Sequence, residues 1–422
     1  MNIVSSNIAK KWHFVDIEPI NHRIFAANGN VWRLMKTQEL PEDLWKVGRL
    51  QQQDAGYQAF VPGPFPPQLR LPLPPELECS HAEAMHAIGK LDGVTKLLPD
   101  RDFFLTMYMR REAASSSQIE GTKATIEDAI EVQIRSHRGL PDDVCDITHY
   151  VKALGYGLER FDSLPLSLRM IKEVHRELMS GARSTQYAFP GEMRRTQNWI
   201  HGTSPSNAAF VPPPPSEIPR TMGDLETFIH SKRGAFPPLV KAALLHSQFE
   251  TIHPFVDGNG RTGRLLITLY LKHAGLLEVP VLYLSDFFKL HQEQYYRLLQ
   301  GYHAHPSGVF SWMAFFFQGV METSQSATDL AYRIMQLRTL DFAKIHSLGK
   351  TAAPTALAVL TRLYAQPIVD ISQVQEWLGF KSRTGATKVI DRLCALEILS
   401  PRHDGRYGRQ YEYAPYLRLF AC

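Results

Sequence analysis

Apolar residues recur at helical spacing through most of the chain, and two such patterns bracket one short polar loop. Val240, Ala243, Leu244 and Phe249 repeat at helical intervals within 238–252, and Leu265, Leu266, Leu269 and Tyr270 do so within 261–273. The same periodicity predicts helices over 80–98, 102–121, 125–136, 146–161, 166–179, 282–297 and 310–321. A longer amphipathic one, over 324–345, reads as a spacer. Alternating or β-branched stretches are few: Val31-Trp-Arg-Leu34 looks strand-like, and Gln197-Asn-Trp-Ile-His201 with Gly202 and Pro205 behind it reads as a short hairpin. Prolines after Val211 bar any central strand there. The fold expected is mainly α.

Punctuation divides the chain. Residues 1–78 are mixed and end in a proline-rich run, Val61-Pro-Gly-Pro-Phe-Pro-Pro67 and Leu71-Pro-Leu-Pro-Pro75, which reads as a stiff extended connector. A helical domain is expected over 79–323, a helical linker over 324–353 and a second domain over 354–422. In that last part a helix is expected over 356–363, a second over 371–378 closes on Gly379, a third follows from Ser382, and a hairpin carries Asp404-Gly405 at its tip. Three helices and a hairpin resemble a winged helix. Between Phe380 and Gln410 seven Lys or Arg stand against three Asp or Glu. Arg383, Thr384, Thr387 and Lys388 fall where a recognition helix would face a major groove, so duplex DNA and protein contacts are both expected roles.

Composition narrows the class. At 422 residues the chain calls for more than one domain, and 44% apolar with 21% charged residues is that of a globular protein. A net charge of +4 gives no global argument for nucleic acid. Cys79, Cys145, Cys394 and Cys422 show neither metal-ligand spacing nor a disulfide framework, which favours reduced thiols and a cytoplasmic location. No leader pattern and no membrane-length apolar run is present, so no membrane partner is expected.

The candidate chemistry lies in the loop between the two bracketing helices, His253-Pro-Phe-Val-Asp-Gly-Asn-Gly-Arg-Thr-Gly-Arg264. Gly258 and Gly260 let backbone N–H groups turn inward at the start of the second helix, where unpaired donors and the positive dipole end favour a phosphate. Arg261 and Arg264 stand three apart, sharing a helix face, and guanidinium forks suit phosphate oxygens. Asp257 offers a hard oxygen for Mg²⁺, and Asn259 can tie the loop together. His253 titrates near neutrality in its unperturbed state and can accept a hydroxyl proton. These groups together describe transfer of a phosphate-containing group.

Every fixed position of this stretch resembles the signature of the Fic family, His-Pro-Phe-x-Asp/Glu-Gly-Asn-Gly-Arg-x-x-Arg. The resemblance implies an all-α core with a β-hairpin flap and transfer of AMP from Mg·ATP to a protein Ser, Thr or Tyr hydroxyl, self-modification included. Other family members use other nucleotides or move other phosphate groups, and the intact Gly-Asn-Gly-Arg loop favours AMP transfer. The family also carries an inhibitory helix with Ser/Thr-x-x-x-Glu-Gly/Asn, similar to Ser116 and Glu120-Gly121 at the end of the helix expected over 103–121. The resemblance pairs Glu120 with Arg264 and also allows Glu120 to position a water for AMP removal. It places a target-docking flap at Arg194–Phe210, with Asn198, Trp199, Ile200 and His201, and an adenine wall at Tyr295 and Tyr296. A homodimer is an open expectation. So is a different class, a winged-helix DNA-binding regulator whose Fic part only senses nucleotide.

Overall fold

Pro75 ends the proline run by starting a helix. A proline at the first helical position loses no bond, since that N–H has no partner in the helix, and Glu76 and Glu78 suit the positive dipole end. Helix α1 therefore spans Pro75–Lys96, five residues ahead of the start expected at 80. In this computed structural model the described residues are 24–25, 31–32, 47–67, 73–98, 101–131, 143–181, 189–231, 236–304, 307–402 and 409–420. Ahead of α1, Ile24–Phe25 (β1) pairs with Val31–Trp32 (β2), and Gly48–Gln52 (β3) pairs antiparallel with Gln58–Pro62 (β4). The start of the proline-rich stretch is thus a strand rather than a polyproline connector. Pro62 ends it, and Phe60 turns inward against Phe210 and His303.

The helical body follows as α2 (Arg101–Ile119), α3 (Ile126–Glu131), α4 (Val144–Arg160), α5 (Leu168–Met179), α6 (Ile218–His230), α7 (Pro238–Ile252) and α8 (Asn259–His273). The pattern expected over 125–136 extends past 131 into residues outside those described. Helices α7 and α8 are buried on nearly every side, which places the loop between them at the centre of the bundle. The single helix expected over 282–297 is two, α9 (Ser285–Leu290) and α10 (Gln292–Ala304), broken at His291.

Helix α11 (Gly308–His346) merges the two helices expected over 310–321 and 324–345, so a boundary at 323 falls inside one element. Residues 324–345 are also no free spacer: Ala327, Leu330, Ala331, Ile334 and Ile345 are buried at helical spacing. Past it come α12 (Gly349–Leu363), β5 (Ile368–Asp370), α13 (Ile371–Leu378), α14 (Arg383–Ala395), β6 (Ser400–Pro401), β7 (Gln410–Glu412) and α15 (Ala414–Leu417). The three strands form an antiparallel sheet in the order β5-β7-β6, while Asp404-Gly405 lies outside the described residues. Asp370 caps α13 and Gly379, at φ 63°, ends it. This C-terminal unit touches the helical body: Arg110 of α2 donates to Ala365 O at 2.7 Å, Arg402 pairs with Glu131, and Tyr413 donates to Asp341 of α11.

Candidate functional site

Helix α7 stops at His253, which takes a left-handed conformation at φ 49° and sends the chain into Pro254. Such backbone strain on a non-glycine residue persists only where the surroundings hold it. Here they do. Arg194, a buried residue, donates from Nε to His253 O at 2.9 Å and from Nη2 to Ile252 O at 3.4 Å and Pro213 O at 2.6 Å. A cation on the last carbonyls of a helix also meets the negative end of its dipole. Asn198 adds Nδ2 bonds to Phe255 O at 3.1 Å and His253 O at 3.4 Å.

The His253 ring has one nitrogen committed and one free. Nδ1 lies 3.2 Å from Glu250 O, and a carbonyl can only accept, so Nδ1 carries the proton and Nε2 keeps its lone pair. Burial, opposed in part by the Glu250 carbonyl bond and helped by Arg194, pushes its pKa down to about 4. His253 therefore does not titrate near neutrality as its unperturbed value implies; it is a neutral base across the physiological range.

Residues 255–259 close on themselves. Asn259 Oδ1 accepts from Phe255 N at 2.8 Å, its Nδ2 returns to Phe255 O at 2.9 Å, and Asp257 Oδ1 accepts from Gly258 N at 2.6 Å. Gly258 caps α8 at φ 75°, and a methyl there would lie 2.6 Å from Met179 Sδ. His175 supports the turn from α5, donating from Nε2 to Asp257 O at 3.0 Å while Nδ1 accepts from Gly191 N at 2.9 Å. Its ring stacks on Phe255 at 3.7 Å, and burial holds its pKa down to about 4. Neither Arg194 nor His175 is visible in the motif, because each reaches the loop from a distant segment.

The two arginines do not point together. Arg261 is buried toward α4 and α5, with Nη1 3.7 Å from Asp146 Oδ1 and Nη2 3.7 Å from Met179 Sδ. Arg264 turns to α2: Nε donates to Ser116 Oγ at 2.8 Å, and Nη2 donates to Ser116 O at 3.0 Å and Glu120 Oε1 at 2.6 Å. Three residues of helix leave an offset of about 60°, and each guanidinium follows the nearer acid. Burial opposes the charge on Arg264, but the Glu120 carboxylate outweighs it and its pKa is raised.

Glu120 sits at the end of α2 in a well-defined stop. Thr122 N bonds to Ser117 O and Gly121 N to Gln118 O, with Gly121 at φ 90°, which is a Schellman closure. A carboxylate here faces the negative dipole end, so its position is unfavourable without Arg264. It also covers α8: a methyl on Gly260 would lie 2.3 Å from Glu120 Oε1. The whole end of α2 is tied to α9 and α10. Glu112 accepts from Tyr150 and from Ser285 N and Oγ, Arg111 pairs with Asp286 at 2.6 Å, and Gln292 donates to Ile119 O at 3.0 Å.

The flap segment is looser than a hairpin. Ile200 and Phe210 form a single antiparallel bridge, and a short 3-10 turn at Pro205–Asn207 fills the space between. Proline at 205 and 212–215 removes the donors a longer ladder needs. Trp199 is 39% exposed and His201 is exposed at φ 56°, whereas Asn198 is spent on the motif loop. Tyr296 lies between this segment and α2, edge-on to His201 and with its hydroxyl 3.4 Å from Ile119 O. Tyr295 departs from the expected adenine wall: it is 1% exposed, stacks on Phe288 and shares a hydrogen bond with His246, so it is core.

Residues 165–271 match the Fic/DOC family and residues 79–159 match the Fic/DOC family N-terminal region. A protein adenylyltransferase Fic of Aedes aegypti is 35% identical over 136 residues, which are 32% of this chain and 24% of that protein. One of the same name from Drosophila melanogaster is 27% identical over 201 residues, 46% of this chain and 38% of that one. The chain thus matches well under half the length of either relative. The crystal structure of a Fic family protein from Desulfovibrio desulfuricans G20 shares the fold, with a TM-score of 0.53 at 20% identity over 81% of this chain and 96% of that one.

Proposed function

We propose that this chain, which carries a Fic/DOC domain preceded by the family's N-terminal region, transfers AMP from Mg·ATP to a Ser, Thr or Tyr hydroxyl of a protein, itself included. The observation that carries this most directly is the state of His253, a half-buried neutral imidazole with Nε2 free beside a helix N-terminus. Nε2 takes the hydroxyl proton, the oxygen attacks the α-phosphorus, and the bond to the bridging oxygen breaks to release pyrophosphate. The first-turn amides of α8 and the two arginines supply donors for phosphate oxygens, and such positioning with charge stabilisation is most of what phosphoryl chemistry needs.

Among the described residues no group of three His, Cys, Asp or Glu side chains could hold a metal by itself. That fits Mg²⁺ arriving with the nucleotide, because the ion commonly takes one or two carboxylates and fills its shell with phosphate oxygens and water. Asp257 is the carboxylate that would hold it, and the ion would neutralise charge on the phosphates. ATP labelled in the α-phosphate is expected to label protein covalently, whereas γ-labelled ATP is not. Covalent γ label would replace AMP transfer by phosphorylation.

Glu120 and Ser116 act in this proposal as the inhibitory pair, holding Arg264 away from the γ-phosphate. The Glu120 carboxylate lies over Gly260, which supports a further role in orienting a water for AMP removal. Tyr296 borders the nucleotide, and the exposed side of the 199–210 segment receives the target by backbone pairing.

A second role is favoured by α14, whose Arg383, Thr384, Lys388 and Arg392 are exposed with only Asp391 among them as an acid. We read the C-terminal unit as a winged helix that meets duplex DNA through this face. Changing Arg383 and Lys388 to Glu is expected to weaken salt-dependent DNA binding by at least ~10-fold at 0.1 M salt, with AMP transfer unaltered. Wild-type protein without salt-dependent binding would assign the unit to protein contacts instead. No helix among the described residues is long and apolar enough to cross a membrane.

A further inference from the structure

Glu250 lies one helical turn before His253 on α7, and its carboxyl is enclosed. The side chain is 11% exposed, Oε2 lies 3.9 Å from His253 Nδ1, and Oε1 is buried without a hydrogen-bond partner. An orphaned buried carboxyl oxygen costs stability that an apolar side chain of similar size would not. The packing nevertheless makes room for it. A methyl on Gly263, the fifth residue of α8, would lie 2.2 Å from Oε1 and 3.2 Å from Cδ, so the carboxyl fills space that a larger residue there would make it leave. Glu250 and Gly263 thus face each other on adjacent helices, next to the base.

We propose that Glu250 is the positioning residue of this base: its carboxyl supports the His253 imidazole once Nε2 has accepted the hydroxyl proton. This role rests on AMP transfer being the reaction. When Nε2 gains the proton, the ring carries a positive charge in a half-buried place and has only the Glu250 carbonyl on Nδ1. An ionised carboxylate 3.9 Å away favours that charged form. No proton moves to Glu250; the hydroxyl proton stays on His253 and then passes to solvent, which reaches the partly exposed ring.

The surroundings decide when Glu250 is ionised. Burial raises its pKa to about 8, Arg264 across from it on α8 works to lower it, and the Glu120 carboxylate at the end of α2 raises it. Tyr295 faces it from α10, and Arg194, Glu120 and Asp257 act on His253 beside it. With Glu120 paired to Arg264, the Glu250 carboxyl keeps its proton and the base has no counter-charge. Withdrawal of Glu120 removes a like charge and frees Glu250 to ionise nearer neutrality. The inhibitory contact thereby weakens the base as well as occupying Arg264.

The test uses the full chain carrying Glu120→Gly, with and without Glu250→Gln, and reads kcat, KM for ATP and the dependence of kcat on pH from 6 to 9. Glu250→Gln is expected to lower kcat by roughly 10- to 100-fold, less than the ~10⁴ seen for an orienting carboxylate bonded directly to an imidazole. KM for ATP stays within about twofold, since an interaction made only after proton transfer does not alter ground-state binding. The parent's kcat rises with pH as Glu250 ionises, and the Gln variant lacks that rise. An unchanged kcat with an unchanged pH profile overturns the role and leaves Glu250 as packing. Should Glu250→Gln not fold, Glu250→Asp carries the same test: a lower kcat with the rise retained supports the role, and an unaltered kcat overturns it. The Glu120→Gly parent reports on the reaction and the Glu250 step on the positioning, so the two fail separately.

Discussion

His253→Ala, made in Glu120→Gly protein so that the parent is active, is expected to lower AMP transfer by ~10²–10⁴ while ATP still binds. The loop does not depend on the imidazole for its shape. Arg194 and Asn198 hold backbone carbonyls of residues 253 and 255, and Asn259 closes the turn through the Phe255 backbone. Alanine in the left-handed conformation at 253 bears a strain of about 1–2 kcal/mol, much as histidine does there, so the fold survives and the loss is chemical. The pH profile follows from the same residue. Its pKa near 4 leaves Nε2 unprotonated down to acid pH, so loss of the base itself is expected below about pH 5, as a second fall beneath the one that protonation of Glu250 gives between pH 6 and 9. Transfer at the parent's rate by folded His253→Ala would remove the imidazole from the mechanism.

The second large effect has the opposite sign. Glu120→Gly is expected to raise self-modification under Mg·ATP by at least ~10-fold. A hydrogen bond to a charged group contributes about 1.5–3 kcal/mol, and the lower end applies because the Glu120 side chain is 39% exposed while Arg264 is 2% exposed. In the proposed inhibited state that energy keeps Arg264 occupied, so removing it is expected to shift the population toward a free Arg264 by roughly tenfold or more. Ser116 still bonds Arg264 at Nε and Nη2 after the change, so part of the hold on the guanidinium remains and the gain reflects the Glu120 contact alone. Glycine near a helix end costs up to about 1 kcal/mol of local stability. Such a loss lowers activity if anything and cannot imitate a gain.

The loop from His253 to Arg264 was readable because its chemistry is local: the glycines, Asn259 and Asp257 bond within five residues of each other. The stop at Glu120-Gly121 was readable for the same reason, since a helix end is written in its own last turn. What escaped is what acts across the fold. Arg194 reaches the loop over 59 positions and His175 over 82, and neither spacing leaves a periodic trace. Tyr295 and Tyr296 are neighbours in sequence, yet successive helical residues diverge by about 100°, which sends one to the core and the other toward Glu120. The break at His291 and the continuity of α11 through 323 depend on packing that hydrophobic periodicity alone does not encode. Glu250 carries no signal in the sequence beyond a polar residue in an apolar helix. The closeness of Gly263 to its carboxyl is visible only in the fold.

The most direct measurement is a time course of AMP incorporation by intact-protein mass spectrometry. Wild type, Glu120→Gly, and Glu120→Gly with Arg264→Ala are followed side by side under Mg·ATP. If Glu120 silences an AMP-transfer site by occupying Arg264, the single variant gains modification over wild type and the double variant loses that gain, because the freed arginine is what the nucleotide needs. Equal modification by wild type and Glu120→Gly, or a gain that survives the loss of Arg264, would contradict it.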